Sequence, residues 1–365
     1  MTADDWAGRA LAAVVVGRVT TTEAEVGERF PLYAEPGDGR WLTTGRGSWT
    51  GGFWAGLLWL RARCTRSEAD RLAAARCTTR LASWVEADTA TRGLIFWYGT
   101  ALAFDSQEAT VLRGAAGRAC LASYDPESGI VPWGGAFGGP RLLARADAVP
   151  GLVPLLAEVG GEGPAVAAEH LHRHLGLFLG EGPAVGVGRP QPAWQFDAAT
   201  GWRAREEPAP GWSRGEAWML LAVADALLRP DVAGRRPERL ALAAEQLIAR
   251  TEVLTGPVIP PDDVSRPRGA VDTSAAAITA VALLKLARAG KPGAAVFSHR
   301  AVAILKRLVE AHLTGPSPGR PAGMLLDGCY DAAKDLAVRH ELIWGDFFLA
   351  LGLAALDDLV DITRV

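Results

Sequence analysis

The sequence predicts an all-α protein, an (α/α)6 barrel of six helical hairpins in one domain spanning residues 1–365. Three observations lead there. Alternating Ile/Val/Thr-rich stretches are scarce, while alanine- and leucine-rich helical patterns dominate. Strongly apolar segments begin near Gly52, Gly93, Asp147, Ser213, Thr273 and Trp344. A helix apolar on every face is a buried one, so these are inner helices. Between them lie more charged, amphipathic segments at 67–86, 107–122, 163–180, 237–250 and 295–313. With a first helix over 4–16, the count is six inner and six outer helices. Hairpins that each hide one face close into a toroid.

That topology puts all inner-helix starts at one end. The loops before them, rich in Gly, Pro, Trp and Asp, converge on one mouth, where a pocket is expected.

Composition limits the rest. The chain has 365 residues, 49% hydrophobic and 22% charged, with a net charge of −3. No basic stripe is present, which argues against a nucleic-acid partner. No apolar run reaches membrane-spanning length, and the acidic start Met1-Thr-Ala-Asp-Asp5 lacks a signal peptide's positive charge. The expectation is a cytoplasmic protein, monomer or homodimer, with no membrane partner. Cys64, Cys77, Cys120 and Cys329 show no C-x-x-C spacing and read as reduced thiols.

Tryptophan placement is the strongest pointer to function. Of 13 tryptophans, Trp49, Trp54, Trp97, Trp212, Trp218 and Trp344 fall at inner-helix starts. Flat indoles clustered at one end favour ring stacking on a carbohydrate over core packing. In Gly211-Trp-Ser-Arg-Gly-Glu-Ala-Trp218, Arg214 offers a planar fork suited to a carboxylate. Its bland counterpart is an ion pair with Glu206, Glu207 or Glu216. Asp147 reads either as an N-cap or as a general acid/base desolvated by the helix behind it. Asp272 reads as an N-cap, with Ser274 beside the mouth, and Asp346 follows Trp344.

Other motifs are discounted. His170, His172 and His174 tempt a metal reading, but only two share a helix face and no H-E-x-x-H accompanies them. Asp357-Asp358-Leu-Val-Asp361 resembles a D-D-x-x-D metal motif without its companion. No metal ligand set is assigned, and no cofactor.

Four ordered blocks resemble the unsaturated glucuronyl hydrolases. Trp49-Thr-Gly-Gly-Phe-Trp-Ala-Gly-Leu-Leu-Trp resembles their W-T-x-G-F-x-x-G-x-x-W, and Trp212-Ser-Arg-Gly-Glu-Ala-Trp218 their W-x-R-G-Q-A-W. Asp272-Thr-Ser-Ala-Ala-Ala-Ile resembles D-S-S-A-A-A-I, and Trp344-Gly-Asp-Phe-Phe resembles G-D-Y-Y. The Asp147-to-Pro154 spacing is closer to the related unsaturated rhamnogalacturonyl hydrolases. The resemblance implies an (α/α)6 barrel that hydrates the 4,5 double bond of an unsaturated uronide, without metal or organic cofactor. It implies that Asp147 is the acid/base, that Arg214 binds substrate, and that Trp49, Trp54, Trp212 and Trp218 line the sugar site.

The chain also departs from that pattern. The family's H-D-x-G-F reads Ala90-Thr91-Arg92-Gly93-Leu94, which leaves Asp88 as the substitute for the second aspartate. The His-Gln pair before W-x-R-G is replaced by Glu206-Glu207-Pro-Ala-Pro. Two readings follow: a divergent glycoside hydrolase using Asp147 and Asp88, or a barrel that binds a sugar or metabolite without the family reaction or does other tailoring chemistry. A lanthionine-type cyclase is a weaker third.

Overall fold

The computed structural model describes residues 5–180, 189–290 and 292–365. They are predominantly helical, and the expected alternation of inner and outer helices is present. The inner elements are Gly51–Thr65, the π-helical turn Gly93–Trp97 running into Tyr98–Thr100, Leu152–Ala157, Ser213–Leu227, Thr273–Arg288 and Ile343–Leu356. Each packs against the next, and the last packs against the first, so the contacts close a ring. The outer helices Glu68–Thr79, Gln107–Ala122, Gly163–Leu179, Pro237–Arg250 and Ala294–His312 cover them. Buried apolar residues from Ala10 to Val365 form one continuous cluster.

Local chemistry sets the ends of these helices. Ser67 and Ser106 accept hydrogen bonds from the amides of Asp70 and Ala109 at 3.4 and 3.2 Å, capping two outer helices. Close approach of inner elements needs glycine. A Cβ on Gly52 would lie 2.2 Å from the Ile95 carbonyl oxygen, and one on Gly93 would lie 2.3 Å from the Leu152 amide nitrogen.

The first helix is longer than expected. It runs from Trp6 to Val26 through a π-helical middle, Ala12–Arg18, because no proline intervenes, and it ends at Gly27 at φ 55°. Residue 4, the expected start, lies outside the described residues. The third inner helix also begins later than expected. Asp147 sits in a short 3-10 turn, Ala146–Ala148, and the helix starts at Leu152 after Gly151 at φ 70°. Gly151 explains the delay, since its left-handed backbone interrupts the right-handed helical path just before Leu152. Asp147 is therefore not the N-cap of that helix.

Among the described residues, the main addition to an all-α reading is seven short strands. β1 (Phe30–Ala34), β2 (Trp41–Thr44), β6 (Gly328–Asp331) and β7 (Leu336–Leu342) form a sheet in the order β2-β1-β7-β6. β3 (Leu143–Arg145), β4 (Ala193–Asp197) and β5 (Gly201–Ala204) form a second. All lie in the connections. They brace the loops at the inner-helix starts: β3 ends on Arg145, β6 carries Cys329 and Tyr330, and β7 leads into the last inner helix.

Among the described residues, no helix is long and apolar enough to cross a membrane. Cys77 and Cys120 are buried, and burial pushes their thiols up to about 12 and about 11, which keeps them protonated. Asp361 accepts from the amide and hydroxyl of Thr363 at 3.0 and 2.8 Å, so the D-D-x-x-D look-alike ends as a turn cap.

Candidate active site

The loops at the inner-helix starts enclose a cleft of about 540 Å³. Trp49, Trp133, Phe137, Trp212, Trp218 and Tyr330 supply its aromatic wall. Asp147 and Arg145 lie on it, with Arg214 and Cys329 deeper and Arg266 and Lys334 toward the rim. A larger cavity of about 670 Å³ lies elsewhere, lined by Glu216, Arg300 and a run of prolines. None of the sequence-predicted site residues lines it, so the smaller cleft is the candidate site despite its size.

Asp147 is held by Arg145. The Arg145 Nε donates to Asp147 Oδ1 at 2.9 Å and Nη2 to Oδ2 at 3.0 Å, a two-pronged pair. The guanidinium lies 4.8 Å from the Trp133 ring centre and 6.0 Å from that of Trp212. Burial is the largest influence and acts to lower its pKa, but Asp147, with Tyr330 and Asp331, together outweigh it and leave the pKa raised.

Arg214 is differently employed. One terminal nitrogen donates to Asp272 Oδ2 at 2.6 Å and to the Cys329 carbonyl, and the other to the Tyr330 carbonyl at 2.7 Å. Asp272 Oδ1 caps the Ser274 amide at 3.0 Å, as its N-cap reading expects. The guanidinium lines the cleft, but it ties two inner-helix starts to β6, and its acidic partner is Asp272, not Glu206, Glu207 or Glu216.

The tryptophans divide into wall and support. Trp49 lines the cleft and donates its indole N–H to the Tyr330 hydroxyl at 3.1 Å. Trp212 stands at the entry of the Ser213–Leu227 helix, and Trp218 forms the floor against Phe53. Trp54, Trp97 and Trp344 do not line the cleft, which corrects the reading of them as direct sugar contacts. Trp54 lies five helical positions beyond Trp49, which turns it away into the core. Trp97 is buried between the Arg113 and Arg229 guanidiniums at 5.8 and 5.0 Å. Trp344 packs beneath Trp49 and Tyr330, at ring-centre distances of 4.9 and 5.1 Å. Ser274 is likewise buried, its hydroxyl donating to Asp272 at 2.6 Å.

Asp88 does not line the cleft either. Its side chain is 44% exposed, and Oδ2 accepts from the Gly135 amide at 3.1 Å and from Arg141 at 3.2 Å. It braces the loop that carries Trp133 and Phe137. The backbone there runs so close that a Cβ on Gly134 would overlap the Asp88 carbonyl oxygen. The residue that faces the cleft from this segment is Thr91, whose hydroxyl pairs with that of Thr89 at 2.9 Å.

Sequence reasoning missed Arg145, Trp133, Tyr330 and Asp262. Burial pushes the Asp262 carboxyl above its usual range despite the nearby Arg266. None of the four sits in an apolar helix start. The only available signal was the arginine two residues before Asp147.

The histidines are internal. His170 accepts from the Val131 amide at 3.0 Å, and burial keeps His170 and His174 neutral, the latter lowered to about 4. Asp346 is buried beside Glu341, which Arg18 grips at 2.9 and 2.6 Å. Burial pushes the Asp346 carboxyl well above the usual range. Among the described residues, no three His, Cys, Asp or Glu side chains gather as a metal site.

No protein-family model matches the chain, and no curated protein matches it. Solved structures do. Unsaturated glucuronyl hydrolase from Bacillus sp. GL1 superposes with a TM-score of 0.81 at 21% identity, covering 96% of this chain and 97% of that one. A heparin-specific unsaturated glucuronyl hydrolase gives 0.80 at 19% identity over 98% and 99%. A variant of the Streptococcus agalactiae enzyme, complexed with dGlcA-GalNAc6S, gives 0.67 at 17% identity over 95% and 90%. The chain therefore has, along nearly its whole length, the fold of the unsaturated glucuronyl hydrolases.

Proposed function

We propose that this chain is a divergent glycoside hydrolase built as one (α/α)6-barrel domain, acting on an unsaturated uronide or a related glycoside. The observation that carries the reading is Asp147: a carboxylate lining a cleft walled by Trp49, Trp133, Trp212, Trp218 and Tyr330. Indole faces suit the C–H faces of a pyranose ring. In the reaction, Asp147 gives its proton to C4 of the double bond. A water, deprotonated by the same carboxylate, adds to C5. The hemiketal then opens and releases the aglycone. Each turnover consumes one water and returns Asp147 to its starting state.

One specific observation favours a second reading, a sugar-binding barrel without this reaction. Thr91, not an aspartate, faces the cleft from the second inner-helix start, and Asp88 lies outside it. One experiment separates the two. Unsaturated glucuronyl disaccharides are incubated with the protein, following ultraviolet absorbance of the double bond and products by mass spectrometry. Loss of absorbance with release of the aglycone supports the hydrolase. Binding without product across a broad panel replaces it with the second reading.

A further inference from the structure

A general acid must carry a proton, yet the Arg145 fork is matched to an ionised carboxylate. The surroundings of this pair suggest how both hold. Four cations line the cleft: Arg145, Arg214, Arg266 and Lys334. Arg214 is 4% exposed and spent on Asp272 and two backbone carbonyls. Arg266 and Lys334 are 54% and 61% exposed on the rim, each paired with an aspartate three residues away. Arg145 is 24% exposed, held between two indoles, and its Nη1 makes no hydrogen bond to a described residue. It is the cation placed to meet a ligand inside the cleft.

We infer that Arg145 passes its fork from Asp147 to the carboxylate of the bound uronide. The inference rests on the reading of the cleft as a sugar site and deepens it. The exchange balances. Arg145 loses one carboxylate partner and gains another, and the ligand's charge beside an unpaired, newly desolvated Asp147 favours uptake of one proton there. The free protein thus holds an ionised, clamped Asp147, and the complex holds a protonated one ready to donate.

The other groups facing Asp147 leave Arg145 in control. From the Gly163–Leu179 helix come His170 and His174, both held neutral by burial. From β6 comes Tyr330, whose hydroxyl is pushed up by burial and stays neutral, and Asp331, which Lys334 neutralises at 2.8 Å.

The test is calorimetric titration of the full chain with a saturated glucuronyl disaccharide and with its uncharged carboxamide. Titrations near pH 6, in two buffers of different ionisation enthalpy, read proton uptake. The wild type should take up a large fraction of one proton with the acid and none with the amide. Asp147→Asn should bind the acid without uptake. Arg145→Met should lose at least about tenfold in affinity for the acid and little for the amide, while Arg145→Lys recovers part of the loss. Acid binding with no proton uptake in the wild type, or equal affinity for acid and amide, overturns the exchange and leaves the sugar site standing. Binding of neither sugar overturns both. Turnover of unsaturated disaccharides, measured separately, tests the hydrolase reading on its own.

Discussion

Two of the arginine–aspartate pairs at the mouth of this protein are chemically alike and differently used. Arg214 and Asp272 join the fourth and fifth inner-helix starts at 4% and 1% exposure. Arg214 also donates to the Cys329 and Tyr330 carbonyls, and Asp272 accepts from Ser274. Arg145 and Asp147 are 24% and 18% exposed, bound to each other, with an unclaimed nitrogen left on the arginine. A buried pair tied as well to two backbone carbonyls holds structure, because removing either partner strands a charge out of reach of water. The half-buried pair, bound only to itself, is the one proposed to trade partners. Burial and the backbone partners each arginine holds, not residue type, distinguish the two pairs.

The sharpest way to break that contrast is to cut the buried pair. Asp272→Ala should cost about 3–5 kcal/mol of stability, read as a lowered denaturation midpoint. A loss below about 1 kcal/mol would remove the scaffold role.

Cutting the half-buried pair should instead hit activity. Asp147→Asn should lower turnover of an unsaturated disaccharide by about 10²–10⁴-fold with stability within about 1 kcal/mol of wild type. Unchanged turnover would take Asp147 out of the acid/base role.

Glu216 sharpens the comparison from the other side, as a buried acid in the larger cavity with no ion pair among the described residues. Burial pushes its carboxyl up to about 8. A raised carboxyl makes the folded protein bind the extra proton, so its contribution is full below about pH 4.5 and fades as pH rises through 8. Glu216→Gln should therefore gain roughly 2–4 kcal/mol relative to wild type on going from pH 5 to pH 9, seen as diverging melting temperatures. Parallel melting curves would contradict the burial argument.

The smallest effect is expected at Asp88. An exposed pair with Arg141 is worth about 0–1 kcal/mol, so Asp88→Asn should change stability by no more than that and activity by less than about threefold. A large loss of turnover would bring Asp88 back into the reaction and weaken the distinction drawn here.

Much of this was legible in the chain. Periodicity and polarity give inner and outer helices because a buried helix must be apolar all round, and a covering helix on one face only. The inner-helix starts at Ser213 and Thr273 stand where the pattern puts them, since Trp212 and Asp272 end the preceding extended segments. The site was legible in part. Asp147, Trp49, Trp212 and Trp218 reach one cleft, because helix starts converge when hairpins close. Trp54, Trp97, Trp344 and Ser274 share the helix starts with the wall residues but point into the core.

What the sequence by itself determined is the order of helices, the end at which chemistry gathers, and the aromatic character of that end. These follow from local periodicity and from which residues can bear burial. Only the tertiary structure decided the partners. The pairing of β1 with β7 joins segments some 300 residues apart, and Arg214 finds Asp272 58 positions away. Thr91, not Asp88, faces the cleft because the loop from Trp133 to Phe137 claims the Asp88 carboxylate. Such choices depend on which groups fill a shared volume and which donors remain unspent once it is filled, and neither quantity is a property of neighbouring residues in the chain.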